Sequence, residues 1–148
     1  AGQAGRRPQD TGPRRGVNAA GTTRARKDCR IMKTVGILGG MGPEATILLM
    51  QKVLDAVPAQ DDADHIPLIV HQNPQVPSRI KALIEGTGED PGPVLAGMAR
   101  DLEAAGAAAL AMPCNTAHHY AGAVEAASEL PFLDMLKLTA DALARAGA

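Results

Sequence analysis

The sequence contains few aromatic residues, few cysteines and no long hydrophobic run. Phe132 and Tyr120 are its only Phe, Tyr or Trp residues, so a core must be built from Ala, Leu, Ile, Val and Met. This scarcity argues against the aromatic stacking platform that binds single-stranded nucleic acid. No segment approaches the roughly 18 apolar residues of a membrane-spanning helix. We therefore expect neither a nucleic-acid partner nor a membrane.

Cys29 and Cys114 are the only two cysteines, and they lie in different settings. Two residues cannot make a disulfide framework, and no Cys-x-x-Cys metal pair is present. The four histidines are scattered along the chain. The sequence therefore predicts no structural metal site.

Charge divides the chain into two unlike parts. Residues 1–31 carry eight basic and two acidic side chains, a net charge of +6, whereas the rest carries seven basic and fourteen acidic ones, a net charge of −7. The first part has no hydrophobic period and is predicted to be a disordered basic leader. Its Arg-Arg pairs precede no apolar segment, so it does not fit a secretory signal, and the default compartment is the cytoplasm. A domain is predicted over 32–148.

Short β-prone runs alternate with helical patterns after residue 33. The predicted strands are 34–38, 67–71, 107–112 and 132–133. Helices are predicted from Pro43 to 57, over 80–84, over 93–105, from 116 or 117 to 130, and over 137–145. This alternation predicts βαβ units and hence an α/β fold, a parallel sheet flanked by helices in a Rossmann-like three-layer arrangement.

Three loops follow the first three predicted strands, at 39–43, 72–79 and 113–116, and ligands bind at that edge of a parallel sheet. Cys114 lies in the third loop, just before a helix whose first N–H groups and dipole favour thiolate over thiol. Asn115 or Thr116 could cap this helix or face a ligand. The competing interpretation, a small buried apolar residue, is common for free cysteine. The local pattern favours a functional thiol.

The glycine-rich loop at 39–43 has three interpretations. Gly40-x-Gly42-x-x-Ala45 matches a loose dinucleotide fingerprint, but no acidic residue ends the second strand to bind a ribose. The loop could instead hold a carboxylate at a helix N-terminus. A plain tight turn is the third interpretation.

Arg79 and the histidines complete the candidates. Arg79 could bind a carboxylate through two hydrogen bonds or be a solvated surface residue. His118 and His119 could make a Cys–His pair with Cys114, which would suggest a hydrolase or acyltransferase. No orienting acid accompanies them, so both are assigned structural or surface roles.

Four motifs occur in order: MKTVGILGGMGP at 32–43, NPQVPSR at 73–79, GEDP at 88–91 and MPCNTAH at 112–118. Together they closely resemble the aspartate racemase branch of the aspartate/glutamate racemase family. The resemblance implies two similar α/β domains, a site between them, and no pyridoxal phosphate or metal. It also implies two cysteines that act on opposite faces of the substrate Cα. Cys114 matches the first of them.

The resemblance further implies substrate contacts, with aspartate or glutamate as the substrate. Arg79 matches the arginine that selects an acidic side chain. The other matching positions are Met41, Gly42, Asn115, Thr116 and Ala117. The oligomeric state is left open, with a homodimer among the options.

The sequence departs from the family pattern because the second domain, with its Gly-Cys-Thr motif, is absent from 32–148. Cys29 lacks that context. We therefore expect an incomplete racemase, inactive or weak by itself. The alternative is a non-catalytic module that binds acidic amino acids.

Overall fold

A single parallel sheet of four strands organises the described part of the protein. The structure is a computed structural model that describes residues 32–147, and the predicted basic leader at 1–31 lies outside the described residues. The strands are β1 (Val35–Gly39), β2 (Leu68–Gln72), β3 (Ala109–Ala111) and β4 (Phe132–Leu133), in the spatial order β2-β1-β3-β4. All three pairings are parallel. The predicted α/β fold with a parallel sheet is confirmed.

Within residues 32–147, four α-helices connect or follow the strands: α1 (Pro43–Ala56), α2 (Gly92–Ala104), α3 (Ala121–Glu125) and α4 (Met135–Ala146). Pro43 begins α1, where the missing N–H of proline costs nothing because the first N–H groups of a helix make no hydrogen bond within it. Gly106, with φ +94, follows α2, as the sequence predicts. No helix in residues 32–147 is long and apolar enough to cross a membrane.

The segment after Cys114 differs from the single helix predicted to run to residue 130. It begins as a 3₁₀ turn at Thr116–Tyr120, continues as α3 and ends at Glu125. The chain then turns toward β4, and the amide of Leu130 donates to Ser128 Oγ. Strand β3 is also shorter than predicted. At its start, the amide of Ala107 donates to the carbonyl of Leu102 in the last turn of α2 and not to a neighbouring strand. The predicted helix at 80–84 is a π-helical turn, Lys81–Glu85.

The main core lies between the sheet and the α2–α3 layer. Its side chains are aliphatic and almost fully buried, and the largest are Leu38, Leu95, Met98, Leu102, Leu110, Met112 and Val124. Gly36 faces the same layer, where an added Cβ would lie 3.0–3.1 Å from side-chain atoms of Ala107, Leu102 and Leu110, a tight contact. Burial of each such leucine or methionine stabilises the fold by about 1.5–3 kcal/mol. This layer supports the carboxyl end of β3, where Cys114 lies.

Helices α1 and α4 border the opposite side of the sheet. Between them lies an aliphatic crevice of about 610 Å³, into which Val35 and Ile37 of β1 project. The two sets of helices thus give the predicted three layers, with the sheet in the middle.

Candidate active site

The loops after β1 and β2 are joined at Gly40. The amide of Asn73 donates to the carbonyl of Gly39 over 3.1 Å, and the amide of Gly40 donates to the buried Thr46 Oγ1 over 3.0 Å. Gly40 has φ +98, and a Cβ there would lie 2.4 Å from the carbonyl carbon of Asn73. Only glycine fits such a backbone approach. Part of the glycine-rich motif is therefore explained by contact between two loops.

The third loop meets the first two through a shared apolar cluster. Met41 after β1, Val76 after β2 and Cys114 after β3 are all buried members of the same core cluster. The three strands are adjacent and parallel, so their carboxyl ends lie at one edge of the sheet. The loops predicted from the topology to converge do so.

Cys114 is a free, largely buried thiol at the junction between β3 and the following 3₁₀ turn. Its side chain is 9% exposed, and it is the one free cysteine among residues 32–147. Its Sγ lies 3.6 Å from Thr116 Oγ1, a distance at which either group can donate a hydrogen bond. The thiol is thus packed against the core on one side and contacts a hydroxyl on the other. A thiolate formed here would accept a hydrogen bond from Thr116.

The residues after Cys114 present both polar side chains and backbone amides. Asn115 occupies the N-cap position but makes no side-chain capping bond, so its side-chain amide is not used to cap the start of the turn. Asn115 and Thr116 are exposed, whereas Ala117 is fully buried. The first N–H groups of a helical segment have no acceptor within it. Asn115 and Thr116 are therefore accessible to a ligand, whereas Ala117 offers only its backbone.

His118 is buried beneath this turn and bonds to backbone at both ring nitrogens. Nδ1 lies 2.8 Å from the carbonyl oxygen of Cys114, and Nε2 accepts from the amide of Met135 over 3.1 Å. Both nitrogens are occupied, so His118 has none left to deprotonate a thiol. The assignment of a structural role fits these contacts, whereas the Cys–His hydrolase interpretation does not. His119 is exposed and packs edge-on against Tyr120.

Asp134 begins α4 next to this histidine. Its carboxylate accepts from the amides of Leu136 and Lys137, and Oδ1 lies 3.8 Å from Nε2 of His118. The hydrogen bond from the Lys137 amide is the main cause of a lowered pKa of Asp134; burial opposes it, and the hydrogen bond from the Leu136 amide lowers the pKa further. Together with His118, Asp134 satisfies the first three amides of α4. No local pattern predicts this arrangement, because it joins His118 and Met135, which lie 17 residues apart.

Arg79 folds back onto its own loop. Its Nη1 donates to the carbonyls of Val76 and Pro77 over 3.3 and 3.0 Å. Its Nε is buried and has no hydrogen-bond partner. A buried N–H without an acceptor costs about 1–3 kcal/mol of stability. The structure thus shows a half-buried arginine whose Nη1 bonds to its own loop and whose buried Nε is unpaired.

Met41 and Gly42 occupy the start of α1. Met41 is 6% exposed and its side chain belongs to the core cluster, so only its backbone can face a ligand. Gly42 is exposed and precedes Pro43 as the extended cap residue of the helix. No group of three or more His, Cys, Asp or Glu side chains within 32–147 is arranged to hold a metal ion.

The chain resembles known racemases in both sequence and structure. It is 31% identical over 118 residues to the broad specificity amino-acid racemase RacX of Bacillus subtilis, a match that covers 71% of this chain and 47% of RacX. Aspartate racemase of Picrophilus torridus superposes with a TM-score of 0.72 at 36% identity, covering 78% of this chain and 48% of that one. An aspartate racemase homologue of Pyrococcus horikoshii superposes with a TM-score of 0.66 at 26% identity, over 78% of this chain and 50% of that one.

The chain spans about half the length of these relatives. The family model described as Asp/Glu/Hydantoin racemase matches residues 38–148, which include all three loops at the carboxyl edge of the sheet. The matched region and the parallel sheet agree with the motif resemblance. The chain belongs to the Asp/Glu/Hydantoin racemase family.

Proposed function

We propose that this chain carries one half of an aspartate racemase site, in which Cys114 is the base on one face of the substrate Cα. The observation that carries the proposal is the position of Cys114, beside Thr116 and at the meeting point of three loops. Aspartate is proposed because Picrophilus torridus aspartate racemase is among the similar structures. Arg79 supports an acidic substrate.

The proposed reaction begins when the Cys114 thiolate removes the α-proton, which leaves a neutral thiol and a carbanion. The developing charge spreads onto the substrate carboxylate, so hydrogen-bond donors aimed at that carboxylate lower the barrier. We assign this task to the backbone N–H groups of Met41, Gly42, Asn115, Thr116 and Ala117, and to the side chains of the exposed residues Asn115 and Thr116. Arg79 then binds the side-chain carboxylate through its guanidinium group. The mechanism uses no pyridoxal phosphate.

Inversion requires a proton from the face opposite Cys114. Residues 32–147 contain no second cysteine, and the relatives are about twice as long as the matched region. We therefore propose that this chain removes and returns the α-proton on one face only. Hydrogen exchange at Cα should then exceed formation of D-aspartate.

The test follows both outcomes in one reaction. The full chain is incubated with L-aspartate in D₂O, with loss of the Cα proton followed by NMR and D-aspartate by chiral chromatography. We expect measurable exchange, little D-aspartate, and no exchange after Cys114→Ala. Cys29→Ser is the matched control and should exchange as the unaltered chain does. Exchange that survives Cys114→Ala rejects Cys114 as the base, and rapid racemisation by the full chain rejects the half-site.

A second candidate is a non-catalytic module that binds acidic amino acids. The unpaired Nε–H of Arg79 favours it, because a bound acceptor would satisfy this group without any reaction taking place. Calorimetric titration with L-aspartate distinguishes the candidates. Binding without any Cα exchange in D₂O supports the module, whereas exchange that depends on Cys114 supports the racemase half-site.

A further inference from the structure

The two hydrogen bonds of His118, which lies beneath the turn that follows Cys114, determine which ring nitrogen carries the hydrogen. A carbonyl oxygen can only accept a hydrogen bond, so Nδ1 of His118 must carry the hydrogen that bonds to Cys114. The amide of Met135 can only donate, so Nε2 must be unprotonated. The two hydrogen bonds together therefore require the tautomer of His118 that carries its hydrogen on Nδ1. Its side chain is 1% exposed, which keeps solvent from replacing either bond.

This bond also fixes the peptide that joins Cys114 to Asn115. The peptide is trans, and in a planar trans peptide the carbonyl and the N–H point in opposite directions. The carbonyl of Cys114 points inward to the buried ring of His118. The N–H of Asn115 must therefore point away from the ring. Asn115 itself is an exposed residue.

We propose that His118 is a positioning residue that holds the Cys114–Asn115 peptide so that the Asn115 N–H faces an anionic group bound beside the Cys114 thiol. The group is a carboxylate, in keeping with the proposed function on which this inference rests. Without the bond from Nδ1, the peptide can rotate and turn its carbonyl toward the carboxylate. The bond from Met135 anchors the ring to the start of α4, so the position of the peptide depends on a second element of the fold.

Two substitutions separate the two bonds of the ring. In His118→Asn the side-chain amide nitrogen takes the place of Nδ1 and keeps the donor to Cys114, but nothing reaches Met135. In His118→Gln the longer side chain reaches the place of Nε2 and keeps an acceptor for Met135, but the donor to Cys114 is lost. A merely structural histidine would be affected through folding alone. A positioning role predicts that the two variants differ at the site.

The readout is the ratio of two alkylation rates, measured in a Cys29→Ser background so that Cys114 is the one thiol. Iodoacetate and iodoacetamide both transfer a carbon to sulfur and release iodide, but only iodoacetate carries a carboxylate. A correctly aimed N–H raises the iodoacetate rate relative to iodoacetamide. We expect His118→Gln to lower this ratio by roughly 3- to 10-fold, the loss of part of one charge-assisted hydrogen bond. His118→Asn should keep most of the ratio, and the exposed His119→Asn should keep all of it.

Equal ratios in the Asn and Gln variants, or a ratio that follows thermal stability alone, would overturn the proposal. If neither variant folds, ¹⁵N NMR of the unaltered chain decides, because the two neutral forms of imidazole give distinct ring-nitrogen shifts. An Nδ1–H form supports the proposal and an Nε2–H form overturns it. Neither measurement needs aspartate or turnover. Failure here is therefore distinguishable from failure of the racemase proposal, which the exchange experiment tests.

Discussion

Replacement of Gly40 by alanine should destabilise the fold and disturb two loops at once. Its φ of +98 is unfavourable for any L side chain, and a Cβ would lie 2.4 Å from the carbonyl carbon and 2.5 Å from the carbonyl oxygen of Asn73. Both atoms are backbone and cannot rotate away. The dihedral strain costs about 1–3 kcal/mol. The forced displacement adds about 1–3 kcal/mol, so we expect a total loss of roughly 2–6 kcal/mol.

Two other glycines separate these effects. Gly106 has φ +94 but open space around a Cβ, so Gly106→Ala measures dihedral strain alone. Gly122 lies within α3, has no positive φ and also has open space, so Gly122→Ala should stabilise the helix by about 0.5–1 kcal/mol. The free energy of unfolding is measured for all three variants by urea denaturation. The expected order of stability is Gly122→Ala, then Gly106→Ala, then Gly40→Ala.

The same variants test whether the two loops act together. In Gly40→Ala the hydrogen bond from Asn73 to Gly39 should be lost, and the loop that carries Arg79 should move with it. Cα exchange with L-aspartate should then fall even under conditions where the variant is fully folded. Gly106→Ala lies away from the loops and should exchange normally once folded. A Gly40→Ala protein no less stable than Gly106→Ala would refute the steric argument.

Two further predictions concern charged side chains. In Arg79→Lys the single ammonium cannot both hold the loop carbonyls and bind a carboxylate in two places, so the apparent Kd for L-aspartate should rise by about tenfold or more. Calorimetric titration measures it, and an unchanged Kd would exclude Arg79 from the substrate site. The pKa of Asp134 is lowered from its ordinary value of 3.8, so its contribution to stability is present above that pH and is lost as the pH falls through the lowered value. Asp134→Asn keeps a capping side chain but cannot ionise, so unfolding curves should show a weaker loss of stability below about pH 4; an unchanged acid slope would contradict this.

The sequence predicts the architecture well because its signals are local. Pro43 and Gly106 mark a helix start and a helix end, and the apolar strands are separated by helical patterns of adequate length. The approach of the first three loops follows from a parallel sheet in which β1, β2 and β3 are neighbours. None of this requires knowledge of distant contacts.

The details that sequence reasoning missed arise from contacts between distant residues. The sequence assigns His118 a structural or surface role but does not predict its partners, which are the carbonyl of Cys114 and the amide of Met135, 17 residues further on. The choice of partner depends on where α4 begins in space, which no local pattern encodes. The same segment was predicted as one long helix because its alanine content favours helix. The tighter 3₁₀ turn at Thr116–Tyr120 and the turn toward β4 are properties of the packed structure.

The geometry of the sheet also explains why one domain of this kind would supply one base. The loops that carry Cys114, Arg79 and Gly42 all leave the same edge of a single parallel sheet, so they approach a substrate from one side. Inversion at Cα exchanges a proton on one face for a proton on the other, so an acid and a base must stand on opposite sides. A single edge can provide a thiol, amide donors and a carboxylate-binding arginine together. The same edge cannot also place a second thiol on the opposite face of the substrate. In the proposed reaction, the second thiol must therefore come from a second structural unit.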